Sequence, residues 1–331
     1  MALDDYLAQE IALEFTEGAF SRREALRRLT LLGLSVPAAG AILAACARST
    51  GGAATSTAGP TTRPTTGATS GSTTSTATTG TSLASTIATA PVATGPPATG
   101  SAPTAAGPEA IRFAGPSGQL IGVLATAAAP KGAVLVIHEN RGLTAHIRSI
   151  PARLAADGYT ALAIDLLSEQ GGTASLASEA DATAALGRAP AARLVADLRS
   201  GLDELARRAP GAKLAAIGFC FGGGMTWQLL AAGEPRLSAA VPFYGPAPTG
   251  ADFRGSPNAA VLAIYGELDA RVNATQAAAR TALEAAGLAH DLRVFPGADH
   301  AFFNDTGPRY NAAATAEAYQ VMLAWFAVHL A

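Results

Sequence analysis

Charge is scarce in this chain. Asp, Glu, Lys and Arg make up 15% of 331 residues, and 23 basic against 25 acidic side chains leave a net charge of −2. No basic stripe is present to neutralise phosphates, which excludes a nucleic-acid binder. Cysteine is nearly missing, with only Cys46 and Cys220, so the fold is not a disulfide scaffold. No Cys/His cluster has zinc-ligand spacing, and neither a metal nor an organic cofactor is implied. Aromatics reach only 6%. What remains is a chain rich in Ala and Gly, 49% apolar, long enough for one or two domains with a sizeable core.

Composition divides the chain into residues 1–46, 47–108 and 109–331. Residues 1–20 are mildly acidic, and Leu3, Leu7, Ile11 and Phe15 recur every four positions, predicting a short amphipathic helix. Ser21-Arg22-Arg23 then opens a basic segment, followed by an uncharged run over 29–45 that ends Leu43-Ala44-Ala45-Cys46. Basic residues, an apolar run and small residues before a cut site form an export-signal pattern. The paired arginines resemble a twin-arginine signal, and the last four residues resemble a bacterial lipobox, which makes Cys46 a candidate lipidation site. The alternatives are an uncleaved membrane helix, interrupted by Pro37, and a buried core helix. The expected location is the bacterial cell envelope, anchored by lipid or helix on the outer side of the cytoplasmic membrane. Residues 49–107 are almost wholly Thr, Ser, Ala, Gly and Pro, with Arg63 the sole charge. Such a stretch cannot offset its conformational entropy by burial and is expected to be a disordered stalk.

In 109–331, continuous apolar runs at 133–138, 161–166, 214–219, 239–243 and 261–265 alternate with helical patterns at 147–156, 191–209, 223–232, 274–286 and 312–330. That alternation predicts an α/β domain: a mostly parallel sheet with helices on both faces. A hairpin around Gly115-Pro116-Ser117-Gly118 is expected to open it.

The sharpest local signal is Gly218-Phe219-Cys220-Phe221-Gly222-Gly223, placed after an apolar strand and before a helix. A nucleophile on a tight strand-to-helix turn needs small neighbours, and the helix N-terminus favours thiolate over thiol. A small buried cysteine is the plainer reading of Cys220 alone. Downstream, Gly266-Glu267-Leu268-Asp269 ends another strand, and Gly297-Ala298-Asp299-His300-Ala301-Phe302 puts a histidine in a later loop. Nucleophile, acid, histidine is the chain order of α/β-hydrolases, with Glu267 and Asp299 as competitors for the acid and a helix cap as the plainer role of Asp269.

These three motifs, with Val136-Ile137-His138-Glu139-Asn140-Arg141-Gly142-Leu143, resemble the dienelactone hydrolase family over about residues 109–331. The resemblance implies a Cys220–Asp269–His300 triad, with Glu139 controlling ionisation of the thiol. Backbone N–H groups of Asn140 and Phe221 would form the oxyanion hole. It also implies an ester or lactone substrate. The family grips the substrate carboxylate with two arginines, yet residues 168–185 contain no Arg or Lys and Asn304 stands four residues beyond His300. Arg141 and Phe302 are the candidate substrate contacts, with Arg188 as a further replacement. An acyltransferase with the same triad and a non-catalytic binding module are the rival functions.

Overall fold

A computed structural model describes residues 3–50 and 107–331. The expected stalk falls on 51–106, outside the described residues.

Residues 107–331 are built on one eight-stranded sheet in the order β1-β2-β4-β3-β5-β6-β7-β8. The strands are β1 (Glu109–Gly115), β2 (Gly118–Ala125), β3 (Ala133–Ile137), β4 (Thr160–Asp165), β5 (Leu214–Phe219), β6 (Leu237–Phe243), β7 (Ala260–Gly266) and β8 (His290–Phe295). The β1–β2 hairpin and the β2–β4 pair are antiparallel, and every pair from β4 across to β8 is parallel. Every residue of β3, β4, β5 and β7 is buried, as uninterrupted Val/Ile/Leu/Ala runs require when both faces are covered. From β3 the chain goes first to β4 on one side, then to β5 on the other. Side chains and loops at the C-terminal ends of β3 and β5 therefore meet at a topological switch point, where open α/β sheets gather their sites.

The helices of this domain include α4 (Ala145–Ala156), α5 (Glu179–Arg188), α6 (Ala191–Arg208), α7 (Phe221–Ala231), the one-turn α8 (Ala270–Asn273), α9 (Gln276–Ala285) and α10 (Ala312–His329). Helix α5 was not expected from the sequence.

The N-terminal segment is also helical and folds onto this domain: α1 (Leu3–Thr16), α2 (Arg22–Leu31) and α3 (Val36–Thr50). Ser21 caps α2, its Oγ accepting from the Glu24 N–H at 3.3 Å, a local reason for the helix to start there. The apolar run 29–45 is not one helix. It breaks at Gly33, whose φ is +94°, and Pro37 falls in the first turn of α3, where a missing N–H costs nothing. Among the described residues no helix is long and apolar enough to cross a membrane, so the uncleaved-anchor reading has no spanning helix here. Ala8, Ile11, Ala12, Ala25, Leu29, Ala39 and Leu43 make a small core of their own, while Tyr6 and Leu7 join the main core.

Candidate active site

The turn after β5 sets the site. Cys220 has φ 57° and ψ −115°, a strained conformation for a residue with a Cβ. Three glycines make it sterically feasible. A Cβ on Gly218 would run into the Gly222 carbonyl, one on Gly222 into the carbonyls of Ile137 and His138, and one on Gly223 into the Phe243 carbonyl. Strand β3, helix α7 and strand β6 thus touch backbone to backbone around the cysteine, and the Cys220 N–H donates to the Phe243 oxygen at 3.1 Å. Phe221 is the first residue of α7, where N–H groups have no intrahelical acceptor.

Asp269 ends the turn after β7 and does two things. One carboxylate oxygen caps α8, accepting from the Val272 N–H at 3.2 Å; the other accepts from His300 Nδ1 at 2.5 Å. The helix-cap role and the acid role coexist. Glu267 instead accepts from the Gly297 N–H, and Asp299 from the His300 N–H. With Nδ1 engaged, His300 presents Nε2 toward the cysteine, and the sulfur lies within 4.8 Å of it. Ala301, directly after, has φ 58°.

The loop after β3 closes the third side. His138 anchors it: its Nε2 accepts the Leu166 N–H at 3.1 Å while Nδ1 sits 2.6 Å from the Glu139 carbonyl, which ties the ends of β3 and β4 together. Glu139, Asn140 and Arg141 line a cavity with Cys220. Glu139 is buried, and one carboxylate oxygen accepts from Asn304 Nδ2 at 2.6 Å; the other has no partner among the described residues. Burial pushes its pKa up, against the pull of His146 and the Asn304 hydrogen bond.

A family model described as the dienelactone hydrolase family matches residues 120–330. The chain belongs to the dienelactone hydrolase family. A protein of Escherichia coli O157:H7 that carries the name carboxymethylenebutenolidase is 36% identical over 210 residues, covering 60% of this chain and 77% of that one. Among solved structures, a Klebsiella pneumoniae protein named as a dienelactone hydrolase aligns with a TM-score of 0.58 at 32% identity, covering 67% of this chain and 99% of the other. A dienelactone hydrolase-like promiscuous phosphotriesterase from metagenomic libraries aligns with the same TM-score at 25% identity, covering 69% and 99%. The protein is therefore an α/β-hydrolase of this family, and α1, α2 and α3 lie outside the matched 120–330.

This family member departs from expectation at its substrate side. Phe302, expected beside the substrate, is fully buried. The turn at Ala301 sends it into the core against Phe295 and Tyr244. Arg141 does border the site, but its guanidinium donates to Glu14 at 2.6 Å and pairs with Glu179 at 3.3 Å. Arg188 is spent on the Leu31 carbonyl. Cys46 lines a separate cavity of about 580 Å³ between α1, α3 and the Leu268–Arg271 turn.

The residues that sequence reasoning missed come from α1. The Tyr6 hydroxyl is hydrogen-bonded to Cys220 Sγ at 3.0 Å and lies 3.3 Å from His300 Nε2. Glu10 sits 3.6 Å from the same nitrogen. It is also held by Arg271, whose guanidinium covers the Tyr6 ring at 4.4 Å, and by Arg309 at 3.1 Å. Burial pushes the Glu10 carboxyl up, but His300, Arg271 and Arg309 together bring it down to about 2. Burial lowers the His300 pKa, yet Glu10, Asp269 and Cys220 outweigh it and leave it well above the usual histidine value. Glu10, Cys220 and His300 offer three ligand atoms within 4.8 Å, a set a metal ion would accept, although Glu10 already has two guanidinium partners. The only signal in the sequence was Tyr6, Glu10 and Glu14 at four-residue spacing, a second face of the same helix.

Proposed function

We propose that the protein hydrolyses an ester or lactone through a thioester on Cys220. The observation that carries this reading is the Asp269–His300 contact of 2.5 Å, which turns the second imidazole nitrogen toward a cysteine on a strained strand-to-helix turn. The Cys220 thiolate attacks the carbonyl carbon, and the oxyanion takes N–H bonds from Asn140 and Phe221, donors of a kind that contribute ~3 kcal/mol each. Collapse expels the alcohol, which His300 protonates. His300 then removes a proton from water, which attacks the thioester and regenerates the thiolate. Glu139, buried on the same cavity, is suited to adjust the thiol's ionisation. Three guanidiniums border the site, Arg141, Arg271 and Arg309, and favour a substrate that carries a carboxylate. They would replace the clamp that residues 168–185 and Asn304 lack.

The reading extends to location. Ser21-Arg22-Arg23 and Leu43-Ala44-Ala45-Cys46 support export and lipidation of Cys46. Intact mass of membrane-extracted protein is expected to show a chain starting at Cys46 with added acyl mass; an unmodified full-length chain refutes it.

For the chemistry, the processed chain that starts at Cys46 is incubated with an activated ester and its intact mass followed. An acyl adduct on the Cys220 peptide and turnover over an ester and lactone panel are expected, and Cys220→Ala loses both. A Cys220→Ala protein that still hydrolyses the best substrate overturns the nucleophile.

A further inference from the structure

We propose that helix α1 is an internal inhibitor of this hydrolase: it occupies the acyl site in place of substrate, and the enzyme works when α1 is withdrawn. The proposal rests on the hydrolase reading above and concerns regulation of the same site.

Space is the first argument. With α1 seated, Cys220 is 3% exposed, and the cavity beside it, bordered by Glu10, Glu14, Glu139 and Arg141, measures about 40 Å³. Ligand pockets run from ~300 Å³ upward, whereas one water needs ~30 Å³. No ester fits beside the thiol in this arrangement.

Chemistry is the second. The Tyr6 hydroxyl stands within hydrogen-bond distance of both the sulfur and His300 Nε2. That is the position an attacked carbonyl, a leaving oxygen or a hydrolytic water must take. Glu10 presents a carboxylate to Arg271, Arg309 and His300, and Glu14 presents one to Arg141 and Arg28. Asp269 already holds His300 Nδ1, and Glu10 adds a second carboxylate at Nε2, the nitrogen that must take a proton from water. The helix therefore blocks the nucleophile, neutralises the guanidiniums and occupies the free nitrogen of His300 at once.

Detachability is the third. Glu10 and Glu14 are buried, and buried carboxylates are costly unless each keeps its partners. Removing one partner of such a pair costs ~3–5 kcal/mol, so the grip is strong while intact and fails by single changes. Helix α1 reaches the site through the segment that carries the lipobox-like residues. Cleavage before Cys46, proposed above, separates α1 covalently from the hydrolase domain and makes its release one-way.

The test uses the full chain. Iodoacetamide alkylation of the Cys220 peptide is followed by mass spectrometry, which separates it from Cys46, alongside hydrolysis of p-nitrophenyl acetate. Glu10→Lys is expected to raise the alkylation rate ~100-fold, as loss of ~3 kcal/mol of docking implies, with hydrolysis rising in step. Tyr6→Phe keeps the ring in place and is expected to change alkylation by less than ~10-fold. Alkylation unchanged in Glu10→Lys overturns the proposal. So does a fall in hydrolysis in both variants with alkylation unchanged or raised, because α1 would then belong to the working site. Faster alkylation without hydrolysis by either the parent or Glu10→Lys keeps the inhibitor and removes the hydrolase reading for that ester. A second form guards against a misfolded variant: a protease site is placed within residues 60–90 and cut after folding. Cutting turns docking into a bimolecular event, so protection of Cys220 is expected to fall on dilution; protection independent of concentration overturns the proposal.

Discussion

The elbow at Cys220 and helix α1 meet at one sulfur atom but are held there by different means. Around the elbow, backbone lies on backbone: Gly218, Gly222 and Gly223 leave no room for a methyl group, and the strained turn is fixed by β3, β6 and α7 on three sides. Helix α1 is held by side chains whose tips are charged, Glu10 and Glu14 against Arg271, Arg309, Arg141 and Arg28. Close packing is intolerant and does not titrate. Ion pairs respond to protons, salt and substitution. The same centre thus combines a part fixed by close packing with a part held by charged tips as well as by Tyr6 and Leu7 in the main core.

The comparison breaks most visibly at the glycines. Gly222→Ala puts a methyl into the Ile137 and His138 carbonyls, and a loss of ~3 kcal/mol or more is expected, at the upper end of overpacking costs, read as a lower thermal midpoint with hydrolysis gone. An unchanged midpoint would mean that the backbone contacts around the elbow yield easily.

A gentler test lies in acid. Glu10 faces His300, Arg271, Arg309, Tyr6 and Cys220, and its carboxyl is held down at about 2 from an ordinary 4.5. A depressed carboxyl contributes stability in full above its unfolded value and loses it as pH falls toward the folded one. Between about pH 4.5 and 2, then, α1 is expected to loosen before the sheet does. Amide hydrogen exchange, corrected for its intrinsic pH dependence, should show protection of α1 falling as pH drops from about 4.5 to 2 while β5 holds. Glu10→Gln should remove that pH dependence, and equal loss in both elements would refute the distinction.

What the sequence disclosed follows the same divide. Strands β3 through β7 were legible because they are buried on both faces and read as unbroken apolar runs. Strand β8 is an edge with Asp291 and Arg293 on it and shows no such run, so its bounds were not drawn. Helix α5, with its Ala-rich face, carries too little periodic contrast. Cys220, Asp269 and His300 announced themselves through glycine spacing and chain order, and the structure gathers them beyond the C-terminal ends of β5, β7 and β8. Phe302 lies buried against Phe295 and Tyr244, a placement that adjacency to His300 does not disclose, because it depends on the turn at Ala301. The stripe Leu3, Leu7, Ile11 and Phe15 disclosed α1 as a helix, but nothing in it assigned a partner to Tyr6, Glu10 or Glu14. The cations that receive Glu10 and Glu14 lie up to 299 residues away, beyond any local pattern.

Tyr6, Glu10 and Glu14 project from consecutive turns of one helix, about 6 Å apart along its axis. For a chemist that face is a template. It specifies a phenol directed at a thiol and two acids spaced to meet separate guanidiniums, a three-point design for a selective ligand that needs no knowledge of what the enzyme consumes.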